Sequence, residues 1–469
     1  MAIDLRGRDL ITVDDISNDE IEAVFSLADD MYADIRGRSG LCKGMVMASL
    51  FYEPSTRTRL SFETAMHRLG GNVVTAVDVN TTSIAKGETL ADTARVVSSY
   101  VDIIVVRHPW EGAARVVADY ASVPVINAGD GSHEHPTQSL CDLYTLKREK
   151  GDIRDLTVVL CGDLKNARTV HSFTYALAGF GANIMFMPSK GFELPKYVKD
   201  RLNREYMGIV SEDKDNPSAS FKEMDAIYLT QSQLPLPDTN AKLDLAAQFR
   251  INTPAVKANL DVVYASRMQK ERRPDSSEAP TDATLRVDEQ FMRRPRFRDA
   301  LIMHPLPRVD EIDYALDKDE RSIYFKQAAY GIPVRMALLA SLLGVSKPRP
   351  RAHYGSFAYP VDYQPYKSDA GIRCPNPTCV SNQESVYIVP EFLLVDDNPT
   401  VLRCRYCRRD TRAEAAGSRR TKVYHKAGRH PSRRLQLGNL VYFESFEQAR
   451  DLGYRPGYRI PNRQTESEE

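Results

Sequence analysis

Cysteine is scarce in this chain, with 7 in 469 residues, and net charge is absent, because 63 Lys and Arg stand against 63 Asp and Glu. The charge balance gives no global field toward nucleic acid or an anionic membrane. No run approaches the ~18 apolar residues of a membrane span. The opening segment MAIDLRGRDLITVDD has no apolar signal core. A soluble, cytoplasmic protein is therefore expected. Cys42, Cys141 and Cys161 sit singly among apolar residues, while the other four cluster near the C-terminus. That pattern fits a reducing compartment and a metal rather than disulfides. No internal repeat is visible.

The chain is long enough for about three domains of ~150 residues, and 42% hydrophobic residues can bury sizeable cores. From about residue 40 to 345, strand-like runs alternate with helical periodicities. The strand candidates are 45–52, 72–77, 101–107, 123–127, 156–161, 183–187, 225–229, 261–265 and 299–303. Helical patterns cover 88–100, 135–150, 166–179 and 323–343. Buried strands alternating with amphipathic helices predict an α/β fold of doubly wound parallel sheets. The polar stretch KREKGDIRD at 147–155 reads as the join between two such domains. Beyond 345, the proline- and tyrosine-rich stretch to about 370 reads as a linker.

The segment FYEPSTRTR at 51–59 carries the sharpest chemistry. It follows an uncharged apolar strand and precedes Leu60, Phe62, Ala65, Met66 and Leu69 at helical spacing. Ser55 falls at the N-cap, with Thr56, Arg57 and Thr58 in the first turn. Hydroxyls, free N–H groups and the positive helix end make a cradle for a phosphate. A plain capped helix would gain nothing from arginines there, since they oppose the dipole. Further donors stand at the C-terminal ends of other strands, where open α/β sheets place ligands. They are Ser83 and Lys86, Arg107, His133, His135 and Gln138, Arg168 and His171, and His304 with Arg308. Any one histidine of this kind is more often a structural hydrogen-bond donor. The set offers no nucleophile–base pair and no acidic cluster for Mg²⁺. A donor-built site binds anions and stabilises developing negative charge.

FYEPSTRTRLSFETA, SIAKGETLADT, RHPWEGAAR, NAGDGSHEHPTQSLCDLYTL, GDLKNARTVHS and MHPLPRVDE resemble, in order, the signature segments of aspartate carbamoyltransferase catalytic chains. The resemblance covers about residues 1–345. It implies a carbamoyl-phosphate domain at 1–150 completed by 305–345, an aspartate domain at 151–304, and a homotrimer with shared active sites. Ser55, Thr56, Arg57 and Thr58 would hold the phosphate of carbamoyl phosphate. Arg107, His135 and Gln138 would bind its carbamoyl group, with Thr58, Arg107 and His135 polarising the carbonyl. Ser83 and Lys86 would reach the neighbouring subunit's site. Arg168 would take the α-carboxylate of aspartate, and Leu306 and Pro307 its amine. Arg267 and Gln269 would read the β-carboxylate. Glu53 resembles an acidic residue that locks the closed state through second-domain arginines. Catalysis would need no cofactor.

Ornithine carbamoyltransferase shares the phosphate motif, but typically has His-Cys-Leu-Pro where this chain has His304-Pro-Leu-Pro. Its Ser-Met-Gly segment is absent, and two guanidinium groups suit a dicarboxylate. A scaffold that keeps the fold without catalysis has no need of every donor. About 30 extra residues separate 225–230 from 261–266, both of which resemble the strand before the aspartate loop. The second precedes RMQKER and is preferred on that ground.

Cys374-x4-Cys379 and Cys404-x2-Cys407 form two knuckles with structural Zn²⁺ spacing. Residues 371–415 resemble the zinc domain of the aspartate carbamoyltransferase regulatory chain, here fused to the catalytic part. The linker 346–370 is too short for that chain's nucleotide-binding domain, which implies assembly without its effector site. In the regulatory chain this domain docks on catalytic subunits, so a higher assembly through it is conceivable. Residues 416–469 are a C-terminal extension of unassigned role. They faintly resemble small Ada-type metal modules, but lack cysteines near Gly428 and Gly457. Lys and Arg at 403–434 read as a solvated face or subunit contact rather than a nucleic-acid patch.

Overall fold

The computed structural model describes residues 2–78, 83–154, 156–165, 167–189, 191–207, 210–212, 224–230, 260–266, 286–359, 361–428 and 435–457. Contacts divide the chain into two units: residues 1–108 with 117–360, and residues 109–116 with 361–469.

The first unit holds two parallel sheets. Its N-terminal lobe runs α1 (Asn18–Ala33), β1 (Val46–Phe51), α2 (Thr56–Arg68), β2 (Asn72–Val77), a 3₁₀ turn (Ser83–Lys86), α3 (Leu90–Ser98), β3 (Ile103–His108), α4 (Ala113–Tyr120), β4 (Val125–Asp130) and α5 (Pro136–Lys150). The strand order is β2-β1-β3-β4, all parallel. Every residue of β3 and β4 is buried. That is why IIVVRH reads as a continuous run, since helices cover both faces of such a sheet. The edge strand β2 is instead exposed at Asn72, Val74, Thr75 and Val77 and only half-buried at Val73 and Ala76.

The second lobe continues with β5 (Thr157–Gly162), α6 (Arg168–Gly179), β6 (Asn183–Pro188), α7 (Lys196–Glu205), β7 (Val210–Glu212), β8 (Ala226–Thr230), β9 (Val262–Ser266) and β10 (Leu301–Met303). Its six strands are parallel in the order β10-β9-β8-β5-β6-β7. The two segments that both resemble the strand before the aspartate loop are thus neighbouring strands in one sheet, with Thr230 opposite Ser266. The long helix α8 (Tyr324–Leu342) returns to the N-terminal lobe and packs on α1, α2 and α5. Its Val334, Met336, Leu338, Leu339 and Leu342 are buried, each worth ~1.5–3 kcal/mol of apolar transfer. This closes one core across both lobes. No helix among the described residues is long and apolar enough to cross a membrane.

Residues 346–359 lie along the first unit. Tyr354 is buried edge-on against Phe180 of the second lobe, while its N–H donates to Asp19 of α1. Tyr359 N–H donates to Glu205 O.

The second unit is β-rich. β11 (Gln364–Lys367), α9 (Val380–Gln383), β12 (Glu391–Asp397), β13 (Thr400–Cys404) and β14 (Asp410–Arg412) give an antiparallel sheet in sequence order. β15 (Ala415–Ser418), β16 (Val423–Lys426), β17 (Leu440–Phe443), α10 (Phe446–Asp451) and β18 (Arg455–Pro456) form a second sheet ordered β17-β15-β16-β18. Its own small core joins Ala415, Tyr424, Val441, Phe443, Ala449 and Tyr454. The C-terminal extension is therefore a folded module through residue 457. The expected architecture, two doubly wound parallel-sheet domains with a small β-rich module, is the one observed.

Candidate active site and thiol centre

A cavity of about 360 Å³ opens where the strands of both sheets end. On one side β1 runs into α2, capped by Ser55, whose side chain makes no capping bond to the helix. The Ser55 hydroxyl thus stands with the first turn, Thr56, Arg57 and Thr58, at the positive helix end, where an anion is favoured. Arg107 from the end of β3, His135 before α5, and Gln138 in its first turn face the same space. Thr169 of α6, Ser266 of β9, Leu306 and Pro307 after β10, and Gln327 and Arg335 of α8 complete it. No carboxylate is among these lining residues. The cavity is a positive pocket suited to an anion.

The cations are held in place by groups behind them. Arg107 Nη2 pairs with Glu53 at 2.9 Å, and its Nη1 donates to Ala128 O at 3.2 Å. Glu53 thus engages a first-lobe arginine. Next to it, burial keeps the His108 imidazole neutral by pushing it down to about 4. His135 donates its backbone N–H to Ser172 Oγ at 3.0 Å, which fixes the start of α5 from the second lobe.

A polar chain then runs behind the cavity floor. Asp142 Oδ1 accepts from both Gln138 Nε2 and Gln327 Nε2 at 2.8 Å, and its Oδ2 accepts from Tyr264 at 2.8 Å. Burial nevertheless pushes this carboxyl up to about 6. Gln327 Oε1 accepts from His304 N at 2.9 Å. His304 Nδ1 accepts from Leu306 N–H at 2.7 Å, so its proton sits on Nε2 and is donated to Glu311 at 2.7 Å. This fixed tautomer holds Leu306 at a φ of 53°, a conformation a leucine adopts only when its surroundings impose it.

Of the residues singled out in the sequence, Ser55, Thr56, Arg57, Thr58, Arg107, His135, Gln138, Leu306 and Pro307 line the cavity. Lys86 does not; it is exposed at the end of its 3₁₀ turn. The side chains of Ser83 and Arg168, and all of Arg267 and Gln269, lie outside the described residues. Ser266, at the end of β9, lines the cavity and directly precedes Arg267. Thr169, Ser266, Gln327 and Arg335 were not singled out. Arg335 carried a signal, a lone cation inside the apolar helix run GIPVRMALLA; the hydroxyls and Gln327 carried none.

In the second unit, Cys374, Cys379, Cys404 and Cys407 are all buried, with their sulfurs within 4.8 Å of one another. Cys374 and Cys407 Sγ lie 3.4 Å apart, and Cys379 and Cys404 Sγ 3.8 Å. Thiolates at ~2.3 Å around a tetrahedral Zn²⁺ stand about 3.8 Å from each other, so the cluster fits that ion. Four sulfurs fill the tetrahedron and leave no position for catalysis. Beside them Glu111 is 2% exposed. It accepts from Asn376 Nδ2 at 2.8 Å, Thr378 Oγ1 at 3.1 Å and Arg409 Nη2 at 3.3 Å. Gly112, at a φ of 85°, packs so closely that a Cβ would meet Tyr406 Cβ at 2.6 Å.

A parallel-sheet pair with an anion-binding cavity between its lobes defines a carbamoyltransferase-type architecture, and comparison with known proteins agrees. Residues 8–148 match the model of the aspartate/ornithine carbamoyltransferase carbamoyl-P binding domain, and 238–342 that of the Asp/Orn binding domain. Residues 369–416 match the metal binding domain of the aspartate carbamoyltransferase regulatory chain. The catalytic subunit of aspartate carbamoyltransferase from Thermoplasma acidophilum is 44% identical over 343 residues, 72% of this chain and 99% of that protein. The M. jannaschii catalytic subunit matches with a TM-score of 0.56 and 41% identity, over 72% of this chain and 98% of that one. Trypanosoma cruzi aspartate transcarbamoylase, solved with carbamoyl phosphate and aspartate, matches with a TM-score of 0.57 and 32% identity, over 72% and 98%. The chain belongs to the aspartate carbamoyltransferase family. Its activity is the transfer of a carbamoyl group to L-aspartate, and it carries a regulatory-chain-type metal module on the same polypeptide.

Proposed function

We propose the following division of labour in the cavity. Ser55, Thr56, Arg57 and Thr58 hold the phosphate of carbamoyl phosphate at the helix end. Arg107, His135 and Gln138 hold its carbamoyl group, and Thr58, Arg107 and His135 polarise the carbonyl oxygen. The aspartate amine attacks the carbamoyl carbon; the C–O bond to phosphate breaks, and the departing phosphate takes up the proton that the amine gives up. Phosphate and N-carbamoyl-L-aspartate leave. The donors stabilise charge that develops on the carbonyl oxygen and the departing phosphate, so proximity and electrostatics supply the rate. Leu306 and Pro307 present carbonyls to the amine. Arg168, Arg267 and Gln269 take the two carboxylates of aspartate. The observation that carries this reading is a cavity with no carboxylate among its described lining residues, whose cations and hydroxyls converge on a helix N-terminus.

Lys86 and Ser83 serve the site of a neighbouring subunit in a homotrimer. Two observations support this: Lys86 does not line its own cavity, and Leu60, Val74, Val77, Val96 and Tyr100 of the same lobe are exposed apolar groups. The thiol centre holds structural Zn²⁺. The product feeds pyrimidine synthesis in the cytoplasm, a reducing compartment where unpaired thiols persist.

The test offers aspartate and ornithine separately with carbamoyl phosphate, to wild type and to Arg267→Ala. Turnover with aspartate alone, lost in the variant, is expected. Turnover surviving in the variant would move the β-carboxylate contact away from Arg267. Mixing inactive Lys86→Ala and Arg107→Ala chains should restore activity if sites are shared.

A further inference from the structure

Between the two lobes lies a cluster of buried charges that the reaction above does not use. Arg201 of α7 is 2% exposed, with its guanidinium 4.0 Å above the Tyr175 ring, and Tyr206 stacks on that ring. Its Nε donates to Glu205 at 2.8 Å, and its Nη2 to Asp14, ahead of α1 in the other lobe. The remaining nitrogen, Nη1, has no hydrogen-bond partner. It faces Glu134 Oε1, which also has none, at 3.9 Å. Glu134 is 1% exposed. Two buried groups of opposite charge that face each other unsatisfied, about 1 Å beyond bonding range, call for an explanation.

The neighbours of Glu134 supply one. Its backbone N–H is pinned to Asp130 Oδ1 at 3.1 Å, and its Oε2 accepts from Ser172 Oγ at 3.2 Å. The same Ser172 oxygen accepts the His135 N–H at 3.0 Å. A continuous chain therefore runs from Arg201 through Glu134 and Ser172 to the backbone of His135. Neither Arg201 nor Glu134 lines the cavity. Any movement of α7 toward the β4–α5 connection shortens the one gap in that chain.

We propose that Glu134 and Arg201 form an interlobe latch, which closes from 3.9 Å into a direct ion pair when both substrates draw the lobes together, and which sets His135 in place. This rests on the reading that His135 polarises the carbamoyl carbonyl. Both are positioning residues. The charges around the latch are His133 and Asp130 on the Glu134 loop, Asp14 before α1, and Glu205 on α7. Burial pushes the Glu134 carboxyl up to about 7, against the opposing pull of His133 and Arg201.

The test measures affinity for carbamoyl phosphate, which occupies one lobe, and for N-(phosphonacetyl)-L-aspartic acid, which spans both, on the full-length chain. Glu134→Gln keeps the shape and the Ser172 bond but removes the charge. It should weaken the two-lobe ligand about tenfold, as loss of a charge-assisted bond does, and lower kcat/KM for aspartate in proportion. Carbamoyl phosphate affinity should stay within about twofold of wild type, since no latch contact is made in that complex. Arg201→Met strips partners from Asp14 and Glu205 as well and is the less tolerant variant. Where it folds, the double variant should bind no more weakly than Arg201→Met alone. Wild-type affinity for the two-lobe ligand in Glu134→Gln, or equal losses for both ligands, would overturn the latch. His135→Ala is the separate control: full turnover there would remove the polarising role and leave the latch result standing.

Discussion

The cavity and the thiol centre are both assembled where chain segments end, yet their groups are satisfied in opposite ways. In the cavity, the Ser55 hydroxyl makes no capping bond, and cations converge with no carboxylate among the described lining residues. In the thiol centre, four buried sulfurs close on one another, and Glu111 beside them has every nearby donor it needs. A site meant to exchange ligands leaves its groups incomplete within a rigid frame; one meant to hold a fold completes them. The supporting shells follow the same logic. Asp142 and His304 spend all their hydrogen bonds holding other residues, so that Gln138 and Leu306 present fixed geometry to the opening.

The largest break in this contrast should come from metal removal. Chelation, or Cys379→Ser, should unfold the thiol module if its four sulfurs hold the proposed Zn²⁺, since such a metal contributes about 10 kcal/mol or more in small modules. The catalytic unit should keep its own thermal transition. Calorimetry with metal content by mass spectrometry checks both. Next is Arg107→Ala, which removes a donor from the cavity. It should lower kcat by about 10²–10³ with thermal stability nearly unchanged. Steady-state kinetics beside a melting curve decide it. Glu111→Ala should cost the thiol module about 3 kcal/mol by leaving the buried Asn376 amide without its charged acceptor. Metal content should stay at the wild-type level, so a variant that loses its metal would place Glu111 in the site itself.

The smallest effect sharpens the comparison within the catalytic unit. Asp142 is held near 6, above the ~3.9 of an unfolded chain. The native state therefore binds more protons between about pH 4 and 6, and stability falls as pH rises through that window. Asp142→Asn should flatten this fall of about 2–3 kcal/mol, read from urea midpoints at pH 4.5 and 7.

Much of this was visible in the chain. The apolar runs at β1, β3, β5 and β6 stood out because buried parallel strands carry no polar alternation. The cradle at 55–58 stood out because capping chemistry is local. The thiol spacing was equally plain. α1 was missed, although Ser17 and Glu20 form a capping box, because the strand–helix alternation starts only after it. β8 and β9 resembled each other so closely that they read as rivals for one position. Their pairing side by side is a property of the sheet, not of either segment.

The sequence by itself determined most of the strand–helix alternation between residues 45 and 343, the anion-binding character of the cavity and the thiol spacing. Each depends on residues a few positions apart, joined by one turn of backbone. Only the tertiary structure decided which buried polar groups meet. Asp142 finds Gln327 across 185 residues, Glu111 finds Asn376 across 265, and Arg201 comes to face Glu134 from another lobe. A lone Asp, Glu or Arg in an apolar stretch announces that it must be paired, because burial without a partner is costly. It does not say with what, since the partner is chosen by packing that no local spacing encodes.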